Sequence, residues 1–251
     1  MPFSSGKNIS DLGLGWGLHC GHLNGEASCA HHALKICIAS DSTIMVNLAE
    51  STIWASAVLV RSGIRHALRN DEGMTCSLYI DPDCEAAAGL AKLAGPTGVI
   101  SLSGAVERAA RKCVRLIISS GVGAQTAFEE FSTLLGSPKT GRICDPRVGV
   151  ALAALIDGHH NRLPLAGLAR NAGLSQQRFA AVFRESTGLP VRTYVRWLRM
   201  QTAVGAIARG SDLTSATKAA GYSSEKQFVN YFRHFFGVLP SAFAMTLRKR
   251  R

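Results

Sequence analysis

The residues best suited to chemistry in this 251-residue chain fall into two groups. Near the C-terminus, Gln176, Gln177, Arg178 and Arg184 share one short stretch, and Glu225, Lys226, Gln227, Asn230 and Arg233 share another. Amide and cationic side chains of this kind match the donor and acceptor edges that base pairs present in the DNA major groove. Nearer the N-terminus stand His19, Cys20, His22, Cys29, His31, His32, Cys37 and His66, all types that ligate transition metals. Their spacing fits a structural zinc site poorly, because no C-x-x-C pair occurs. His31 and His32 read as neighbours in a strand, pointing to opposite faces, so at most one of them faces a barrel interior. Nucleophilic chemistry is thin. There is no G-x-S-x-G elbow, and Gly13-Leu14-Gly15-Trp16-Gly17 follows no predicted strand and lacks the third Gly of a phosphate loop. Cys113 has Arg111, Lys112 and Arg115 nearby, which would favour a thiolate, but helical spacing puts it on an apolar stripe and assigns it to the core.

The elements that must position the first group repeat a single plan. Leu168 to Ala172, Gly173 and Ser175 lead into Gln176 to Phe183; Ala216 to Ala220, Gly221, Ser223 and Ser224 lead into Glu225 to Phe232. Each is a short helix, a Gly-centred turn, a capping Ser and a longer helix, the helix-turn-helix plan. Ser175 and Ser224 are expected to cap the following helix. Phe179 and Phe183, and Phe228 and Phe232, stand four residues apart and anchor one face, with Tyr194, Trp197 and Leu198, as core. The opposite face presents the polar residues. Segments at 147–157, 165–172, 175–186, 191–208, 213–220 and 224–236 all read as helices, stopped by glycines.

Charge divides the chain in two. Residues 1–140 hold 11 Lys and Arg against 12 Asp and Glu, whereas residues 141–251 hold 17 against 5, so the whole net charge of +11 comes from the C-terminal part. A cationic helical region joined to a near-neutral one points to a polyanion partner, nucleic acid before membrane. With 47% apolar and 18% charged residues the chain can bury a core, which excludes intrinsic disorder. No apolar run is long enough to span a bilayer, and Met1 to Lys7 lacks a signal-peptide pattern. These features predict a cytoplasmic protein. Seven scattered cysteines predict mostly free thiols. The terminal Arg248-Lys249-Arg250-Arg251 reads as a solvated end with general phosphate attraction.

The N-terminal half predicts short strands at 33–38, 43–48, 53–60 and 75–80, separated by Gly, Asp and Ser clusters, as in a small antiparallel barrel or sandwich. Helices are expected at 86–93, 103–120 and 126–135. The last two are amphipathic, and periodicity alone leaves open whether they pack on the sheet or pair with a second subunit. Residues 139–146 read as the linker.

Residues 145–243 resemble the DNA-binding domain of AraC/XylS-type transcription regulators. The resemblance rests on Leu168-Ala169, Gly173, Ser175, Phe183 and Gly188, then on Tyr194-Val195-Arg196-Trp197-Leu198-Arg199 with Ala203. It closes on Gly221-Tyr222-Ser223, Phe228, Phe232-Arg233, Phe236-Gly237 and Pro240. It implies two helix-turn-helix units, at 165–186 and 213–236, whose second helices enter successive major grooves of double-stranded DNA. The DNA-contacting positions carried over are Gln176, Gln177, Arg178, Ala181 and Arg184 in the first unit, and Glu225, Lys226, Gln227, Asn230 and Arg233 in the second. Ala180 and Ala181 depart from the longer polar side chains common in relatives, which shifts sequence reading toward the second unit. Ala216 is smaller than usual, and Thr217 replaces a tightly packed Ala, a position from which it is expected to bond back to its own helix.

Residues 28–80 resemble the cupin-like barrel that precedes this domain in many such regulators. Gly63 to Asn70 match the second cupin motif, whereas His31-His32 and Lys35-Ile36 leave the first degraded. The whole therefore reads as an α+β protein with a cupin-like effector and dimerisation domain at 1–140 and a DNA-binding domain at 141–251. No catalytic residue, metal or cofactor is assigned. His32 and His66 are the candidate effector contacts. The resemblance implies a small-molecule effector, RNA polymerase and a second copy of the chain as further partners, and no membrane. The competing reading is a cupin-type metal-dependent enzyme, or a metal or redox sensor, using the His/Cys-rich stretch. It lacks a complete ligand set around His66.

Overall fold

The computed structural model describes residues 9–23, 28–119, 124–135, 145–156, 165–187, 189–241 and 243. Among the described residues, the N-terminal half holds eight antiparallel strands: β1 (Ile9–Leu12), β2 (Trp16–Leu23), β3 (Leu34–Ala39), β4 (Ile44–Asn47), β5 (Thr52–Ala55), β6 (Ala57–Val60), β7 (Ala67–Ile80) and β8 (Val99–Ser101). Helices α1 (Glu85–Leu93), α2 (Gly104–Ser119) and α3 (Ala124–Leu134) belong to the same half of the chain. The C-terminal helices are α4 (Pro146–Ile156), α5 (Leu165–Asn171), α6 (Gln176–Thr187), α7 (Val191–Ala208), α8 (Leu213–Ala219) and α9 (Glu225–Phe236).

Strands pair in the order β1-β2-β7-β3-β6-β8, with β4 and β5 branching from the first residues of β7. Alternation along β3 sets its two faces. Leu34, Ile36 and Ile38 turn toward a core shared with α1, α2 and α3, including Leu90, Val114, Ile117, Phe128 and Phe131. Cys37 and Ala39 turn the other way, onto Ile44, Val46, Val58, Val60 and Leu68. Helices α2 and α3 thus spend their apolar stripes on the sheet, a choice that periodicity left open.

Several strand expectations are corrected. Among the described residues the sheet begins at residue 9, not 28, because the Gly-rich stretch 13–17 joins the unpredicted β1–β2 hairpin. Residues 53–60 split at Ser56 into β5 and β6, and the short β8 was not anticipated. Asn70 to Gly73 was expected as a turn, but β7 runs through it for 14 residues. Its first residues pair with β4, and its later ones with β2 and β3. His31 and His32 are not in a strand. The backbone N–H groups of His32 and Ala33 donate instead to the carbonyls of His234 and Phe235 at the end of α9, at 2.9 and 3.2 Å. Cys20 and Cys76, opposite each other in the β2–β7 register, form a disulfide, a departure from the expectation of mostly free thiols. Burial pushes the Cys113 thiol up to about 12, as expected of a core residue. Of the predicted linker at 139–146, residues 139–144 lie outside the described residues and Pro146 already opens α4; the glycine break at 121–123 and the basic tail also lie outside the described residues.

Candidate nucleic-acid interface

The first helix-turn-helix unit is α5 and α6. Leu168, Ala169, Phe179, Val182 and Phe183 form its core with Val148 and Leu155 of α4 and Tyr194 of α7. Gly173 makes the turn at φ 65°, a left-handed conformation open to Gly at no steric cost. The Arg178 backbone N–H donates to Ser175 Oγ at 3.3 Å, which caps α6 as the sequence predicts. With the phenylalanines inside, Gln176, Gln177, Arg178, Ala181 and Arg184 are all exposed, and Ala180 is half-buried.

The second unit, α8 and α9, repeats the plan. Asp212 caps α8 through the Ser215 N–H at 2.8 Å, and Ser224 caps α9 through the Gln227 N–H at 3.1 Å. Thr217 Oγ1 donates back to the Leu213 carbonyl at 2.8 Å, which satisfies this buried hydroxyl within its own helix. Gly221 holds the turn at φ 79°. A left-handed backbone costs a residue with a side chain about 1–2 kcal/mol. Gly221→Val is therefore expected to lower the melting temperature of the full chain by about 2–8 °C, measured by circular dichroism; an unchanged melting temperature would remove this role for the glycine.

Along α9, Phe228, Phe232, Phe235 and Phe236 are buried. Lys226, Gln227, Asn230, Arg233 and His234 are exposed. Two of the predicted contact residues have prior engagements. Glu225 is half-buried and accepts from Thr214 Oγ1 of α8. Gln227 Oε1 accepts from the Ser223 N–H and hydroxyl at 2.9 and 3.0 Å, which commits its carbonyl to the helix start and leaves its amide N–H groups to face outward. Helix α7 joins the two units over 18 residues, about 27 Å at 1.5 Å per residue.

Residues 168–246 match the family model described as "Helix-turn-helix domain". This stretch is an AraC-type helix-turn-helix domain. Over 88 residues the chain is 30% identical to the probable transcriptional regulator LumQ of Photobacterium leiognathi, covering 35% of this chain and 36% of that protein. The chain thus spans about a third of the length of that curated relative. Among solved structures, ToxT from Vibrio cholerae aligns over 92% of this chain and 98% of its own, at 11% identity and a TM-score of 0.46. The DNA-binding domain of AdpA, in complex with a target DNA, aligns over 40% of this chain and 91% of its own, at 26% identity and a TM-score of 0.34.

The AraC-type domain does not stand apart from the sheet. Its second unit shares a core with Leu12, Ala33 and Tyr79, around Trp197, Phe232, Phe235, Phe236 and Phe243. Gly17 lies so close to Phe236 that a Cβ there would meet the ring at 2.7 Å. The turn after β7 adds two carboxylates. Asp81 Oδ2 accepts from Trp197 Nε1 at 2.9 Å, and Asp83 Oδ2 accepts from Thr193 Oγ1 at 2.6 Å and sits 3.4 Å from Arg196 Nη2. Burial pushes the Asp81 carboxyl above its ordinary value, opposed by hydrogen bonds from the Asp83 N–H and the Trp197 indole. Sequence reasoning missed Asp81 and Asp83, because nothing local marks an Asp-Pro-Asp turn as a docking element. It assigned Trp197 to the core but not to this seam.

The two candidate effector histidines do not share a site. His32 stacks on His234 of α9 with ring centroids 5.6 Å apart, at the seam. His66 is buried against His31, edge to face at 4.9 Å, and its Nδ1 lies 2.9 Å from the Ile64 carbonyl. Buried Lys35, whose ammonium lies 5.3 Å from the Tyr79 ring centre, and His31, which packs on the same ring, complete a polar patch there. Lys35 and Tyr79 face each other in the β3–β7 register, a pairing with no mark in the sequence. Burial, with Lys35 and His66 nearby, pulls the His31 pKa down to about 3. Among the described residues no group of three or more His, Cys, Asp or Glu could hold a metal ion, and no helix is long and apolar enough to cross a membrane.

Proposed function

We propose that this protein is a sequence-specific, DNA-binding transcription regulator that reads double-stranded DNA with α6 and α9 and answers to a small organic effector. The observation that supports it best is the pair of exposed faces. Gln176, Gln177, Arg178 and Arg184 stand on one recognition helix, and Lys226, Gln227, Asn230 and Arg233 on the other, each behind a Gly turn and a Ser cap. Amides paired with cations suit base edges, while the surrounding arginines suit phosphates that hold the register. The matched segment of LumQ, named a probable transcriptional regulator, agrees with this reading.

The effector is assigned to the N-terminal domain, at the patch of His31, Lys35, His66 and Tyr79. That patch is buried and lies one residue from the seam at His32 and Ala33. An effector alters DNA occupancy only through different affinities for two arrangements of the protein, and the seam is the element it would bias. A second copy of the chain and RNA polymerase are the further partners of this reading, which places the protein in the cytoplasm at the nucleoid.

The test is a random-duplex selection with the full chain, followed by anisotropy titrations across a salt series. On the selected duplex, Asn230→Ala is expected to weaken binding by about 1–3 kcal/mol while largely sparing random DNA. An equal loss on both would take Asn230 out of the base-reading set. A pool that enriches no sequence would overturn the regulator reading.

A further inference from the structure

The exposed residues of α9 do not end at the edge of the AraC-type domain. Lys226, Asn230, Arg233 and Gly237 follow at intervals of four, three and four, which places them along one side of the helix. At its C-terminal end this stripe meets Ser28, Cys29 and Ala30 of the N-terminal domain across a cleft of about 550 Å³, also lined by His234 and Val238. Residues 28–33 are held against it from both ends. Cys29 and His66 exchange two backbone hydrogen bonds of 2.9 Å, and His32 and Ala33 donate to the last carbonyls of α9. Behind Ser28 stands an exposed arginine, Arg65, whose Nη1 donates to the Ser28 carbonyl at 3.4 Å. Among the described residues lining the cleft there is no carboxylate, in contrast to the seam at α7, where Asp81 and Asp83 sit.

The N-terminal domain thus places Asp81 and Asp83 against α7, and at the C-terminal end of the DNA-reading stripe it places the 28–30 segment, whose Ser28 carbonyl holds the Arg65 guanidinium. We propose that Arg65 and the 28–30 segment extend the DNA interface, clamping with Arg233 a backbone phosphate that flanks the half-site read by α9. The proposal rests on the DNA-reading assignment above and deepens it. A duplex seated on Lys226 and Asn230 carries its phosphates outward past Arg233, and the cleft offers that strand exposed cations and a Ser hydroxyl on a segment anchored at both ends. Contacts of this kind position the duplex without reading sequence. Each releases counterions, adding about 0.9 to the slope of log affinity against log salt concentration.

The experiment uses the full chain and the duplex selected above, kept long on the α9 side or trimmed there step by step. For the wild type, trimming past the flanking phosphate is expected to reduce the salt slope by about 1 and the affinity about two- to fivefold, the range of an exposed ion pair. Arg65→Ala is expected to show both losses already on the long duplex and no further loss on trimming. Arg65→Lys should restore the slope, since a point charge suffices for a phosphate. Arg69→Ala removes the same charge from β7, where Arg69 pairs with Asp71, and is expected to leave the slope unchanged. An Arg65→Ala slope equal to the wild type on the long duplex overturns the proposal, even if inorganic phosphate binds in the cleft. A selection that enriches no sequence removes the DNA-reading assignment itself, a failure distinct from an unmoved slope on a duplex that does bind.

Discussion

Urea unfolding of Trp197→Ala is expected to show a full chain about 3–5 kcal/mol less stable than the wild type, the usual cost of emptying a buried tryptophan site. Trp197 is fully buried, with the rings of Phe235 and Phe236 edge-on to it at 5.3 and 6.1 Å. Its indole N–H is also the donor to Asp81 Oδ2, so truncation removes that donor from a buried carboxylate on the opposite side of the seam and leaves the Asp83 N–H on Oδ1. Trp197→Phe keeps most of the ring contacts and removes only that donor. Its expected loss is about 1–3 kcal/mol, the cost of an unsatisfied buried acceptor. Because the same tryptophan belongs to the helix joining the two helix-turn-helix units, the alanine variant should, on the function proposed above, also lower affinity for the selected duplex. A loss below about 1 kcal/mol for Trp197→Ala would mean that the sheet and the second unit do not share a core in solution.

Acid should destabilise the protein through His31. This ring is 2% exposed and its pKa is lowered to about 3, so the folded protein keeps it neutral while the unfolded chain protonates it near 6.5. With a depressed folded value, the stabilisation is complete above pH 6.5 and is lost as pH falls from there toward 3. The unfolded state binds a proton in that window and the folded state does not. At 1.36 kcal/mol per pH unit, this group removes about 2 kcal/mol between pH 6.5 and pH 5. His31→Phe cannot take up the proton in either state. Its stability, followed by urea titration at several pH values, should be flatter across that window by the same amount. An unchanged pH slope would show that His31 is protonated in the folded protein or lies in contact with water.

The helical half was legible almost residue by residue. Helix α7 runs over 191–208 as its periodicity predicts, and α5, α6, α8 and α9 differ from their predicted bounds by one or two residues. Local chemistry accounts for this. Glycines with a left-handed backbone stop the helices at 173 and 221, Ser175 and Ser224 cap their successors, and phenylalanines four residues apart leave one orientation for each recognition helix. The exposed positions follow from that orientation, which is why Gln176, Gln177, Arg178, Ala181, Arg184, Lys226, Asn230 and Arg233 stand on the surface. Glu225 and Gln227 could not be sorted in advance, because whether Thr214 and Ser223 engage their side-chain oxygens depends on how the turn before α9 closes.

The sheet was harder to read because strand pairing is non-local. Residues 67–80 carry an Asn-Asp-Glu-Gly run that looks like a turn, yet β4 and β2 supply hydrogen-bond partners on either side of it and the strand continues. His31 and His32 have strand-like neighbours, but α9 competes successfully for their backbone.

Composition and periodicity settle that this chain has a cationic helical half with two outward-facing polar stripes, since helix capping, glycine turns and aromatic spacing all act within a few residues. Where those stripes lead is a matter of contacts between positions far apart in the chain. Trp197 meets Asp81 across 116 residues, and the loop at Ser28 meets Arg233 across a cleft that neither segment encodes alone. Burial and hydrogen-bond satisfaction select such partners from the whole assembled surface, so they come into being only when the sheet and the AraC-type domain pack together.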